Sequence, residues 1–241
     1  MLILRSQFLL LVFGAVPVAL AAAAPQKFEA RSLVERGSAP ICYAPQVNGT
    51  IQVVDASYGG ALGYVSQYPN SYGVYTITPD TYDAMNVALL RSCEVTNPFE
   101  IVASNGIAEF SYFGAVVGLD STSDNIIPTS PNYVYIAGAT SVPPGPAQYA
   151  PNAYTDITGN VEDVETAIWT LPNNPAADAP TALVPSWVNT DGSVASGASL
   201  VYVPGADSLA LTGDVYDFSV MYGSDVQVVT FEFIPAALST A

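Results

Sequence analysis

Short apolar runs recur along this chain between Gly, Pro, Asn and Asp residues. They predict strands rather than helices, because their period is two and they are rich in Val, Ile, Tyr, Phe and Thr. In the first half these runs are Thr50–Val54, Leu62–Ser66, Tyr72–Ile77, Phe99–Ala103, Ala108–Val117 and Tyr133–Ala137. A proline-rich stretch from Ser141 to Asn160, with Pro143, Pro144, Pro146 and Pro151, cannot supply ladder donors and predicts a long loop. The second half continues with Thr166–Leu171, Pro185–Asn189, Leu200–Val203, Leu209–Leu211 and Val226–Phe233. Thr190-Asp191-Gly192-Ser193 carries a hairpin turn signal. The last run is apolar on nearly both faces, which predicts a central strand buried on two sides.

Two segments have helical features. Asp214–Tyr222 has an Asp cap, spaced apolar residues and Gly223 as a stop, and predicts a short helix. Thr78–Leu90 opens like a helix but alternates at Met85, Val87 and Leu89 as a strand does. The pattern as a whole predicts an all-β chain folded as a two-sheet, jelly-roll-like β-sandwich with one or two short helices.

The N-terminus departs from this pattern. Residues 1–24 contain one early cation, Arg5, then the run Phe8–Phe13 and the small residues Ala19–Ala24, which together predict a secretory signal peptide. Residues 25–36 are polar, end in Arg36-Gly37 and predict a propeptide cut at that bond. The mature domain would then be residues 37–241, an extracellular protein with no membrane segment once the signal is removed. Its two cysteines, Cys42 and Cys93, predict one disulfide in an oxidising compartment, worth about 4 kcal/mol in the chain-entropy model. Asn48-Gly49-Thr50 is a glycosylation sequon in a turn-like Gly context.

Composition narrows the chemistry. The 241 residues carry 5 Lys and Arg against 21 Asp and Glu and contain no histidine. That excludes Ser-His-Asp and Cys-His catalysis and His-ligated metal sites. A net charge of −16 argues against a nucleic-acid partner. Processing at Arg36 would remove Arg5, Lys27, Arg31 and Arg36 together with Glu29 and Glu35, leaving Arg91 alone against 19 carboxylates. Such a chain repels itself near neutrality, so greater stability is expected at pH 4–5 than at pH 8.

Several phrases point beyond composition. Val161–Trp169, Trp187–Ser193, Leu211-Thr212-Gly213-Asp214 and Leu62–Ser66 resemble acidic secreted β-rich proteins of mushroom-forming (basidiomycete) fungi with no established function. The resemblance implies secretion and fungal origin, and no catalytic residues.

Without histidine, carboxylates are the available acid and base groups. Glu100, Glu109 and Glu232 lie in apolar strand-like runs, where burial would raise a carboxyl pKa as a general acid requires. Asp120, Asp124, Glu162, Asp163 and Glu165 lie in oxygen-rich runs of the kind that hold calcium, but neither run matches an EF-hand. Trp169, Trp187, Tyr133, Tyr135 and Tyr202 lie on predicted strands and could form an aromatic row for sugar rings. No Gly-x-Ser-x-Gly elbow, Asp-Thr/Ser-Gly pair or P-loop is present, and no cofactor is implied. These features favour a secreted, non-enzymatic protein that binds a polysaccharide or cell-wall surface or serves structurally there. The alternative is a glycosidase-like hydrolase that uses carboxylates at acid pH.

Overall fold

Alternating strands must bury one face, and here they do so by closing on themselves. The computed structural model describes residues 46–90, 97–172, 179–223 and 225–236. The segments expected to be leader and propeptide, together with Arg91, Cys42 and Cys93, lie outside the described residues. The strands are β1 (Val47–Asp55), β2 (Ala61–Val65), β3 (Ile77–Thr78), β4 (Asn86–Leu90), β5 (Glu100–Ala103), β6 (Tyr112–Val117) and β7 (Tyr133–Ala139). They continue with β8 (Gln148–Tyr149), β9 (Asp163–Glu165), β10 (Trp169–Thr170), β11 (Thr181–Pro185), β12 (Ser199–Val203), β13 (Ser208–Thr212) and β14 (Gln227–Pro235). Two short helices, α1 (Ala153–Thr158) and α2 (Val215–Tyr222), complete the fold.

The strands do not form a sandwich. β14, β12, β13, β7, β6, β5, β4 and β1 pair in that order, every neighbour antiparallel, and β1 pairs back onto β14 from Gly49–Pro235 to Asp55–Val229. The result is a closed eight-stranded β-barrel in place of the expected two-sheet, jelly-roll-like sandwich. Closure between the first and last strands removes the free edges that two separate sheets would have left.

Three wall strands fork. β1 pairs with β4 over its first half and β2 over its second, β6 with β5 and then β9, and β14 with β12 and then β11. Glycines permit two of these close approaches. A Cβ at Gly49 would lie 2.1 Å from the Ile234 carbonyl, and one at Gly114 would lie 2.5 Å from that of Glu165. The sequon glycine is therefore a packing position inside a strand, and the turn-like context expected for Asn48 is not found.

An eight-stranded barrel is just wide enough for its interior to be filled by side chains. Inward positions supply Ile51, Val53, Ile101, Phe113, Val134, Ile136, Leu209, Leu211 and Phe231, all completely buried. Trp169 enters from β10, which bridges Phe99 at the start of β5. Its ring stacks on Phe113 at 5.0 Å and 14° and lies 5.8 Å from Phe231. Its indole N–H donates to the Phe113 carbonyl at 2.6 Å. Trp187 is equally buried and donates to the Asp124 carbonyl at 2.8 Å. Both tryptophans are core, not a binding platform.

Other expectations resolve locally. α2 forms where its caps predict, with Asp214 Oδ1 accepting from the Asp217 amide at 3.0 Å. The ambiguous 78–90 segment makes a turn and then strand β4. β14 buries Val229, Phe231 and Phe233 inside, while Val228, Thr230 and Glu232 face outward, so it is not covered on both sides. The predicted 141–160 loop contains α1, capped by Asn152 accepting from the Thr155 amide at 2.8 Å and ended by Gly159 at φ 76°.

Truncating the aromatic fill should be severe. Trp169→Ala is expected to cost about 3–5 kcal/mol in chemical denaturation and Trp169→Phe clearly less. Tyr58→Ala, at a fully exposed turn, should stay within about 0.5 kcal/mol of the parent protein.

Candidate functional site

With the axis of the barrel packed by buried side chains, the aromatic cleft considered as a ligand site lies on the outer wall. Along β7, Val134 and Ile136 point inward and Tyr133 and Tyr135 outward. Each outward tyrosine is covered by a different helix. Phe218 and Tyr222, one turn apart on α2, pack on Tyr133 at 5.3 and 4.8 Å. Tyr154 of α1 packs on Tyr135 at 5.1 Å. The two covered rings also meet edge to face at 5.0 Å, with their hydroxyls 3.0 Å apart.

Beside these rings is a cleft of about 290 Å³, walled by Tyr72, Tyr135, Tyr154, Val74, Leu119 and Ser208. Tyr72 stands at its rim, 56% exposed. Asn70 holds the rim in place. Its Oδ1 accepts from the Tyr72 and Val74 amides, and its Nδ2 donates to Ser208 Oγ at 2.9 Å. Asp120 is exposed next to Leu119, and its charge acts on Tyr135, Tyr154 and Tyr222. Burial is the main reason that all four phenols, Tyr133, Tyr135, Tyr154 and Tyr222, are harder to ionise than usual, with Tyr222 pushed up to about 12. The Tyr222 hydroxyl is buried without a hydrogen-bond partner.

Of the aromatic candidates, Tyr135 lines this cleft, whereas Tyr133 is buried under Phe218 and Tyr222, and Trp169 and Trp187 are in the core. Tyr202 lies on β12 and donates to Asp207 Oδ1 at 2.8 Å, a carboxylate that also accepts from Thr76 Oγ1. Sequence reasoning missed Tyr72 and Tyr154. The second is flagged only by the Asn152 and Gly159 caps around a six-residue helix.

The three candidate acids do not converge. Glu109 is exposed in the turn before β6, and Glu100 and Glu232 face outward from β5 and β14. Those strands are separated by β4 and β1, roughly 14 Å around the wall at about 4.8 Å per strand. Glycoside hydrolysis needs its carboxyls about 5 to 9.5 Å apart. Glu100 instead accepts from Ser141 Oγ at 2.6 Å and Thr166 Oγ1 at 2.7 Å, beside a cavity of about 370 Å³ lined by Pro98, Phe99, Pro143 and Pro144.

The perturbed carboxyl is Glu165. Only 3% exposed, it accepts from the Val188 amide through both oxygens at 3.1 Å, and burial pushes it up to about 9. Asp124 and Glu162 are also raised, chiefly by burial and then by mutual repulsion that includes Asp163. These residues adjoin one another, yet among the described residues no three His, Cys, Asp or Glu side chains form a group that could hold a metal ion. Glu165 anchors a closing element at one end of the barrel. There the Trp187–Val194 segment docks on the Asp120–Asn132 loop, through Ile126 N to Asn189 Oδ1 at 2.9 Å and Thr190 N to Asn125 Oδ1 at 2.8 Å. Comparison with known protein families, curated proteins and solved structures finds no match.

Glu165 sets a pH dependence. A carboxyl whose folded pKa is raised binds its proton more tightly in the native state, so stability is greatest below the unfolded value and falls as pH climbs toward 9. Asp191 and Asp214 act oppositely below pH 4, because hydrogen bonds lower both and are lost on protonation. Thermal midpoints should therefore peak near pH 4–5 and drop by pH 8, with a Glu165 contribution on the order of 3–5 kcal/mol. Glu165→Gln should raise the pH 8 midpoint and flatten the profile. An equal loss at both pH values would count against this assignment.

Proposed function

We propose that this chain is a secreted, non-enzymatic β-barrel protein that binds carbohydrate, in the form of a polysaccharide or cell-wall surface, through the Tyr72–Tyr135–Tyr154 cleft. The observation that carries the reading is the cleft itself: three tyrosines around a space sized for about one sugar ring, with the Ser208 hydroxyl also lining it. Aromatic faces match the apolar C–H faces of a pyranose, and neutral phenols hydrogen-bond its hydroxyls without the cost of burying a charge. The separation of Glu100, Glu109 and Glu232 supports binding over hydrolysis. The apolar leader of residues 1–24 supports secretion.

Retention on insoluble cellulose, chitin and β-glucan, read alongside release of reducing sugar at acid pH, tests the proposal. Retention on at least one polymer is expected, with no sugar released. Tyr72→Ala should weaken retention about tenfold, the scale of losing one aromatic contact of about 1.4 kcal/mol, with the melting temperature unchanged. Failure to bind any polymer, or catalytic release of sugar, would overturn it.

A further inference from the structure

A second groove lies away from the tyrosine cleft. It has a volume of about 500 Å³ and runs across the outer face of β1, β4 and β5 beside the end of β14. Its polar side chains are Gln46, Asn48, Thr50, Asn86 and Ser104, and Ala88, Val102 and Ile234 form its apolar surface. No ionisable side chain lines it, although the chain carries 21 Asp and Glu residues. Neither helix lies over it, since α1 and α2 pack on the β7 side.

Asn48 opens the sequon and is exposed within this groove. Its Oδ1 accepts from Gln46 Nε2 at 3.3 Å, a contact that modification at Nδ2 leaves intact. Thr50, the hydroxyl residue of the sequon, lies on the same face two residues on. A neutral strip of amides and hydroxyls over small apolar side chains complements N-acetylglucosamine, which has an acetamide, several hydroxyls and an apolar ring face.

We propose that Asn48 carries an N-linked glycan whose first sugars lie along this groove and cover the outer face of β1, β4 and β5, over which neither described helix packs. The inference rests on the secreted reading. In the transfer, Asn48 Nδ2 bonds to the anomeric carbon of a lipid-pyrophosphate-linked oligosaccharide. The carbon–oxygen bond to pyrophosphate breaks, the lipid pyrophosphate leaves, and Nδ2 gives up one proton. Asn48–Thr50 is paired on both edges, with β4 and with β14 and the residue that follows it. The sugar must therefore be attached before the last strand closes the barrel, and the early position of β1 in the chain allows this.

Expression of the full chain in a eukaryotic secretory host, with intact-mass and glycopeptide analysis of the secreted protein, tests the proposal. A glycan on Asn48 is expected, absent in Asn48→Gln. Its release by peptide N-glycosidase should be at least tenfold slower from native than from denatured protein. Asn86→Ala with Ser104→Ala, both exposed, should speed native release without changing occupancy. Secreted protein with an unmodified Asn48 would overturn the glycan and leave secretion standing. Equal release rates in both states would overturn the seat in the groove. A chain kept inside the cell with its leader attached would overturn the secreted reading and this inference together.

Discussion

The constraint on which this structure depends is that an eight-stranded barrel has to be filled along its axis. The wall strands contribute mainly Ile, Val and Leu, with Phe113 and Phe231 reaching furthest toward the middle. The remaining space is taken by Trp169, which does not belong to the closed circuit of strands at all. Bringing it in requires β10 to bridge Phe99 and β11 to pair with β14, so β14 divides its edge between two partners. The fork of β14 thus accompanies the entry of Trp169 into the core. The indole N–H is satisfied inside by the Phe113 carbonyl, which avoids leaving a buried donor unpaired.

With the barrel axis packed by aromatic and aliphatic side chains, the aromatic cleft lies on the outer wall. Small barrels that bind ligands in their mouths leave the lumen partly empty, and this one does not. The outward aromatic pair Tyr133 and Tyr135 would be a large apolar exposure if left bare, and the two helices cover it unequally. α2 seals Tyr133 with two rings, whereas α1 leaves Tyr135 open on the side of Tyr72. The cleft is therefore the uncovered remainder of a surface that the fold otherwise buries.

Much of the local structure was legible from alternation. β1, β2, β5, β7, β12, β13 and β14 fall within a few residues of the predicted runs, and α2 was announced by Asp214 and Gly223. Closure was not legible, because inward and outward residues alternate identically in a sandwich and a barrel; the difference lies in β1 pairing with β14, across almost the whole domain. The aromatic candidates were divided by the same missing information. Trp169 and Tyr135 both sit on strand-like runs, but one points into the barrel and the other out of it. Glu165 was hidden by its neighbours. Within Glu162-Asp163-Val164-Glu165 it looks like part of a solvated acidic run, and only the distant Val188 amide and the segment around Trp187 enclose it.

The two titrating regions of the molecule are separated in what they control. Protonation of Glu165 bears on the end of the barrel, where its carboxyl meets Val188 and where Trp187 and Ile126 enter the core. The Tyr135 and Tyr154 phenols of the cleft are displaced upward, chiefly by burial. Acid conditions therefore favour the scaffold through Glu165, at a place apart from the tyrosine cleft. On the proposed reading, the cleft would act through rings and hydroxyls rather than charge in a molecule with a large excess of carboxylates. A sugar-binding surface built on lysine or arginine would gain affinity for any nearby carboxylate, including those of a second copy of this chain. Neutral tyrosines avoid that competition, so the lack of cations in the cleft is consistent with the charge of the whole molecule.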